Sequence, residues 1–277
     1  MYQAIIIAFI SIPTLSLAKI DLGQTWSEND RNKWYESSQG SRLIPLEWLL
    51  ALEQSNSIRF FMSDENIEKF RYIPRDLIFS NHNLRLPIGF AVDKSDVGQL
   101  KYTNLRWKPN QSTKEPWVGM TCAACHTAKI TYKGESMVVD GGPTLGDFQS
   151  FIDELNHSLD STINDDGKFE RFAKLALKKE YSIKNGDILK AALVKLYNWQ
   201  KKIDALNHTD LRYGYGRLDA VGNILNKISL LAKTDNPPPN PADAPVSYPF
   251  LWNVPRLNKL QWNGMVEKKV LPHIRGN

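Results

Sequence analysis

Residues 120–130 read MTCAACHTAKI, and the interpretation of the whole chain turns on the five of them that spell Cys-x-x-Cys-His. Cys122 and Cys125 are the two cysteines of the 277-residue sequence. Two thiols three positions apart on a tight helical turn can add to the two vinyl groups along one edge of a haem. The adjacent His126 can then swing beneath the ring and give an imidazole nitrogen to the iron. Ala123 and Ala124, between the cysteines, are small enough to allow close approach to a porphyrin. The pattern points to one covalent haem c, with Cys122 and Cys125 as its thioethers and His126 as an axial ligand of its iron.

Three other chemistries use the same residues. A structural zinc site would need a fourth ligand and usually brings a second well-spaced pair, which this sequence lacks. A thioredoxin-like redox pair belongs at a helix start after a β-strand, and the preceding stretch 112–120, STKEPWVGM, does not read as a strand. A plain disulfide is the third.

Working towards the N-terminus, residues 1–18, MYQAIIIAFISIPTLSLA, contain no charged side chain, and small residues stand at Ser16 and Ala18 before Lys19 begins polar sequence. This reads as a secretory signal peptide whose positive charge is the α-amino group alone. The apolar run is too short to span a bilayer, so residues 19–277 are expected to form a haem domain without stable membrane insertion, in the periplasm or secreted. The composition, 42% hydrophobic and 23% charged, is that of a globular protein. The net charge of +5 comes from scattered Lys and Arg rather than a localised basic patch, which argues against nucleic acid as a partner. It suits an acidic redox partner protein.

The elements read mainly as helices. Ser27 is placed to cap a helix with Asp30 at its third position, Pro45 to open a second over LEWLLALEQ, and Ser63 to cap a third through Phe70. Residues 73–117, with Pro74, Pro87, Pro109 and Pro116 and no sustained period, read as an extended loop. ITYKGESMVVDGG suggests a β-hairpin with strands over 130–132 and 137–139 and its turn near Gly134. Thr144 is then expected to cap an amphipathic helix with Leu145, Phe148, Phe151, Ile152, Leu155 and Leu159 on one face. Further helices are expected over about 169–179 and 187–206. A last helix from RLDAVGNILNKISLLAK would present Leu218, Val221, Ile224, Leu225 and Ile228 as its apolar stripe. The proline-rich stretch 235–245 reads as an extended connector. The fold class expected is mainly α, with a short hairpin and long loops.

Candidates for a sixth iron ligand are His82, His157, His208 and His273, and Met62, Met137 and Met265; Met120, two residues before Cys122, belongs to the attachment side. Tyr248, Phe250, Trp252 and Trp262 form an aromatic cluster suited either to core packing or to walling the distal face of a haem. Arg212 and Arg217 are candidates for neutralising haem propionates, Arg217 reading more readily as a surface or helix-end ion pair.

Four stretches in order, WSENDRNKWYESSQGSRLIPLEWLLALEQ, TCAACHTAKITYKGESMVVDGGPTLGDFQSF, GYGRLDAVGNIL and PADAPVSYPFLWNVPRLNKLQWNG, resemble the N-terminal half of the bacterial di-haem cytochrome c peroxidase-like proteins, in the branch that includes the rubber oxygenase. The resemblance runs from Trp26 to Trp262. It implies a cytochrome c-like helical domain around the haem, the same roles for Cys122, Cys125 and His126, and an approach of the 248–262 segment to the haem. Such proteins carry a second attachment motif in a C-terminal half, and this sequence has one motif. The expectation is therefore a c-type cytochrome engaged in electron transfer with a redox partner protein or small-molecule oxidant. The alternative is a haem-dependent peroxidase or oxygenase.

Overall fold

The computed structural model describes residues 24–96, 104–232, 240–260 and 266–267. The signal-peptide reading of residues 1–18 lies outside them, as do His273, Met265 and Trp262. In chain order the described elements are α1 (Glu28–Glu36), β1 (Ile44–Pro45), α2 (Leu46–Ala51), α3 (Asp64–Lys69), β2 (Pro74–Phe79), β3 (His82–Pro87), β4 (Phe90–Asp93), β5 (Trp117–Met120), α4 (Cys122–Cys125), β6 (Thr127–Tyr132) and β7 (Glu135–Asp140). There follow α5 (Phe148–Asn164), α6 (Asp166–Leu177), α7 (Ile183–Asn207), β8 (Arg217–Leu218), α8 (Ala220–Ala232), β9 (Val246–Ser247), β10 (Lys259–Leu260) and β11 (Val266–Glu267).

The mainly α, cytochrome c-like class is thereby corrected. Helix makes up 44% and strand 19% of the described residues, in several antiparallel sheets, and the fold is mixed α/β. The difference arises in the stretch expected to be loop. β2 and β3 form a hairpin in which Pro74 faces Pro87 and Phe79 faces His82. The two-residue turn between them has both residues at positive φ, Ser80 at 50° and Asn81 at 63°, the twist that suits paired strands. Two of the prolines that argued for a loop, Pro74 and Pro87, sit at the open end of the ladder, where a missing N–H costs least. β4 and β5 then join β1 in an antiparallel sheet of order β1-β5-β4, with Ile44 opposite Val118 and Phe90 opposite Met120. The hairpin of β6 and β7 is longer than the expected one and turns at Lys133 and Gly134, again both at positive φ.

The helices follow the period of the sequence more closely. Ser27 and Asp30 make the expected reciprocal capping box of α1. α3 starts after Ser63 as expected, but the Ser63 hydroxyl makes no capping bond and instead accepts from Gln54 Nε2 at 3.3 Å, and the helix ends at Lys69. α2 stops at Ala51, short of the expected LEWLLALEQ, and Glu53 forms a bridge with Phe60 instead. The cap of α5 is Asp147 rather than Thr144: its carboxylate accepts the Ser150 N–H at 3.0 Å, and Leu145 is exposed. α8 departs most. Its buried residues are Gly222, Asn226 and Leu230, while Val221, Ile224, Leu225 and Ile228 are exposed. Asn226 is drawn inwards because its amide donates to the Leu206 carbonyl, one of the unpaired acceptors at the end of α7, at 3.0 Å.

The two kinds of structure meet at Phe151 of α5, which is 1% exposed. Its ring contacts Phe61, Phe70, Tyr72 and Phe90 edge-on, with centroids 5.4–5.6 Å apart. Such pairs add to the roughly 1.5–3 kcal/mol that burying one phenylalanine contributes. A second aromatic group, Trp48 with Trp107 and Phe172, joins α2 to α6. Among the described residues, no helix is long and apolar enough to cross a membrane.

Candidate functional site

The central strand β5 runs directly into the single turn of α4, so the sheet sets where the cysteines point. Thr121 caps that turn, its hydroxyl accepting the Ala123 N–H at 3.3 Å, and the His126 N–H closes it on the Cys122 carbonyl at 2.9 Å. Gly89, between β3 and β4, packs against the same turn. It has φ +79°, and a Cβ built on it would lie 2.0 Å from the Ala124 nitrogen. Only glycine fits that approach.

Both cysteines are free thiols. Cys122 is exposed, its backbone N–H donating to the Gln39 side-chain oxygen at 3.2 Å. Cys125 lies deeper, and burial drives its thiol up to about 11, against a smaller lowering effect from Tyr248. The Tyr248 hydroxyl sits beside the Cys125 sulfur, and both it and the Tyr72 hydroxyl are buried without a well-formed hydrogen bond. Burial, followed by the nearby sulfur, raises both phenols above the usual tyrosine range.

His126 is half-buried, with Nδ1 2.7 Å from the carbonyl oxygen of Pro249. A carbonyl can only accept, so Nδ1 carries the proton and donates, and Nε2 is left with a free lone pair. Burial also pulls the imidazole below its ordinary pKa, outweighing the opposing effect of the Pro249 bond, and favours the neutral ring. The segment after β9 is held there by several contacts. The Tyr248 ring lies 6.3 Å from that of His126, the Leu251 N–H donates to the Gly141 carbonyl at 2.8 Å, and Trp252 Nε1 donates to the Asp140 carbonyl at 3.0 Å. The Asp140 carboxylate in turn accepts the Tyr35 hydroxyl at 2.6 Å and Arg31 Nε at 3.0 Å. The DGGP stretch is thus the seam joining α1, β7 and the C-terminal segment. Two unpaired thiols one helical turn apart, with a neutral imidazole whose free nitrogen is Nε2, form a donor set that suits a c-type haem.

The other sequence candidates are scattered. Met62 is buried in the core, and Met120 ends β5, packed against the core. Met137 is half-buried in β7, and His82 is exposed in β3. His157 of α5 and His208 at the end of α7 both line a separate cavity that Cys122, Cys125 and His126 do not touch. Arg212 is paired with Asp153 at 2.7 Å. Arg217 is exposed on β8 opposite Ser247, with no ion pair among the described residues. Phe250 and Trp252 stack on one another at 5.4 Å and remain largely exposed. Sequence reasoning singled out none of Pro249, Gly89, Asp140 or Tyr72. The first two act through the backbone, which side-chain patterns do not report.

The rival chemistries also meet the geometry. The expectation that no strand precedes the cysteines is wrong, since β5 does. The thioredoxin-like reading still lacks its helix, because α4 is one turn long and runs into β6, and the Cys125 thiol is raised rather than lowered. Zinc needs converging donors, and no group of three or more His, Cys, Asp or Glu placed to hold a metal ion occurs among the described residues.

No protein-family model matches the chain, and no solved structure matches it. Over 278 aligned positions it is 32% identical to an uncharacterized protein, y4iJ, of Sinorhizobium fredii (strain NBRC 101917 / NGR234), covering 94% of this chain and 45% of that protein. The chain thus spans under half the length of the curated relative it matches.

Proposed function

We propose that Cys122, Cys125 and His126 hold one covalent haem c, and that the chain is an exported redox protein exchanging electrons with a partner protein or a small-molecule oxidant. The observation that carries this reading is the 2.7 Å bond from His126 Nδ1 to the Pro249 carbonyl. Ligating histidines characteristically give their second N–H to a backbone carbonyl, which fixes the tautomer and the ring's orientation. A haem bound there would supply a one-electron couple at its iron. The chain's own residues do the rest. The two thiols offer the covalent anchors, Ala123 and Ala124 seat the turn against the core, and the Pro249 carbonyl holds the imidazole proton. Pro249 and Tyr248 would stand on the His126 side of such a group, whereas the sequence suits the cluster of Tyr248, Phe250, Trp252 and Trp262 to core packing or to walling its distal face. Arg217, unpaired on β8 next to that segment, offers a positive charge to a propionate. The resemblance of TCAACH, DGGP and APVSYPFLW, in that order, to the di-haem peroxidase-like proteins favours the same reading, without the helical fold it implied.

The test is direct. Exported in a host with cytochrome maturation machinery, the chain should retain its colour through acid–acetone extraction and carry the mass of one haem beyond the polypeptide. A colourless product of bare polypeptide mass would overturn the reading. His126→Ala should alter the axial-ligand spectrum while thioether attachment survives; an unchanged spectrum removes His126 from the iron.

A further inference from the structure

Helices α5, α7 and α8 line a half-open cavity of about 530 Å³, a size usual for small-molecule sites. It is separate from the thiol–imidazole site and independent of the haem reading. Its wall is apolar along Phe148, Ile152, Trp199, Ile203, Leu218 and Ile224. Most polar groups around it are already committed. Arg42 grips Asp93 at 2.6 Å, Arg212 pairs with Asp153 at 2.7 Å, and Gln200 donates to the Leu43 carbonyl at 3.0 Å. Gln149 accepts from the Tyr213 N–H at 3.0 Å. Asp204 is held above the usual carboxyl range by burial and by Asp153, and the His157 and His208 rings and Lys201 offset its charge.

Lys227 differs from all of these. It stands on α8 at the cavity wall, one helical turn beyond Ile224, and has neither an ion pair nor a hydrogen bond among the described residues. The residue is exposed overall, yet the protein crowding it pulls its ammonium below the ordinary lysine range, with no carboxylate to counter the effect. An unpaired cation at the rim of an apolar wall offers a fixed charge to an anionic group whose apolar part lies against that wall. Ile224 and Lys227 share one helix face, which sets an apolar contact and a charge side by side. We propose that this cavity binds an amphipathic monoanion, its apolar body against Phe148, Ile152, Ile203 and Ile224 and its anionic group at Lys227.

Calorimetric titration of the full-length exported chain with dodecanoate, below its micelle concentration, should show saturable one-to-one binding. Lys227→Gln keeps the stem and removes the charge, and should weaken that binding about tenfold, as losing one charge-assisted hydrogen bond does. Dodecyltrimethylammonium should bind the wild type no more tightly than dodecanoate binds Lys227→Gln. Ile203→Trp on α7 and Asn223→Trp on α8 each put an indole in the path of the apolar body and should abolish binding with the circular-dichroism spectrum preserved; having both keeps the test open if one fails to fold. Equal affinity for the anionic and cationic probes, or an unchanged affinity in Lys227→Gln, would overturn the assignment of the anion. Absence of saturable binding to the wild type, or binding that survives in a folded Trp variant, would overturn the cavity as its place.

Discussion

The chain from residue 148 to 232 and the chain from 74 to 140 bury apolar surface by different means. In the first, α5, α6 and α7 repeat their buried residues at helical spacing, as Phe151, Leu155 and Leu159 do, and the packing is spread over many side chains. In the second, strands of four to six residues depend on backbone geometry at a few points: Ser80, Asn81, Lys133 and Gly134 at positive φ, and Gly89 pressed on α4. Redundant packing makes the helical part robust. Precise turns make the strand part accurate, and that part carries the cysteines. The site therefore sits where a small backbone error moves it most.

The largest effect is expected where the two regions join. Phe151→Ala removes the ring that four other aromatics contact, and should cost about 3–5 kcal/mol, measured by urea unfolding. If the helical part kept its wild-type midpoint, the two regions would be independent and the comparison would fail. Gly89→Ala comes next. Its strained φ costs roughly 1–2 kcal/mol, and displacing α4 adds about 1–3 kcal/mol. Hydrogen exchange should report lost protection in β4, β5 and α4 with α7 unchanged; uniform loss would contradict the localised role given to that turn.

Acid tests the strand region through Asp93. Burial alone would raise its carboxyl, but hydrogen bonds from Ser38, Arg42 and the Ser95 N–H prevail and hold it at about 2. A carboxyl depressed in the folded state stabilises fully above its unfolded value near 3.8 and loses that contribution as pH falls through about 2. Stability should decline over that interval, and Asp93→Asn should flatten the decline; a slope unchanged in the variant would clear Asp93 of the effect. The smallest effect concerns the helical part. Asp147→Ala should cost about 1 kcal/mol as the true cap of α5, measured by thermal unfolding. A neutral result would return the cap to Thr144.

The same contrast explains what could be read from the sequence. The long helices announced themselves by period, and the Lys133–Gly134 hairpin by its glycine. The β2–β3 hairpin did not, because Pro74 and Pro87 suggested a loop and its strands bury few residues; the signal available was Asn81 in a two-residue turn. The stripe of Val221, Ile224, Leu225 and Ile228 was visible but misassigned, since a polar residue, Asn226, decides which face of α8 packs. At the proposed site, Cys122, Cys125 and His126 stand out in the sequence because the chemistry proposed for them resides in side chains. The Pro249 carbonyl does not, for every residue has one, and only the fold selects which.

The bond between His126 and Pro249 joins positions 123 residues apart. A ribosome releases the histidine long before the proline, so through the synthesis of that stretch the imidazole proton is free to sit on either nitrogen. The final tautomer is a property of the finished chain, acquired late in its biogenesis. Any event that needs Nε2 deprotonated must either wait for residue 249 or accept a ring that is still undecided.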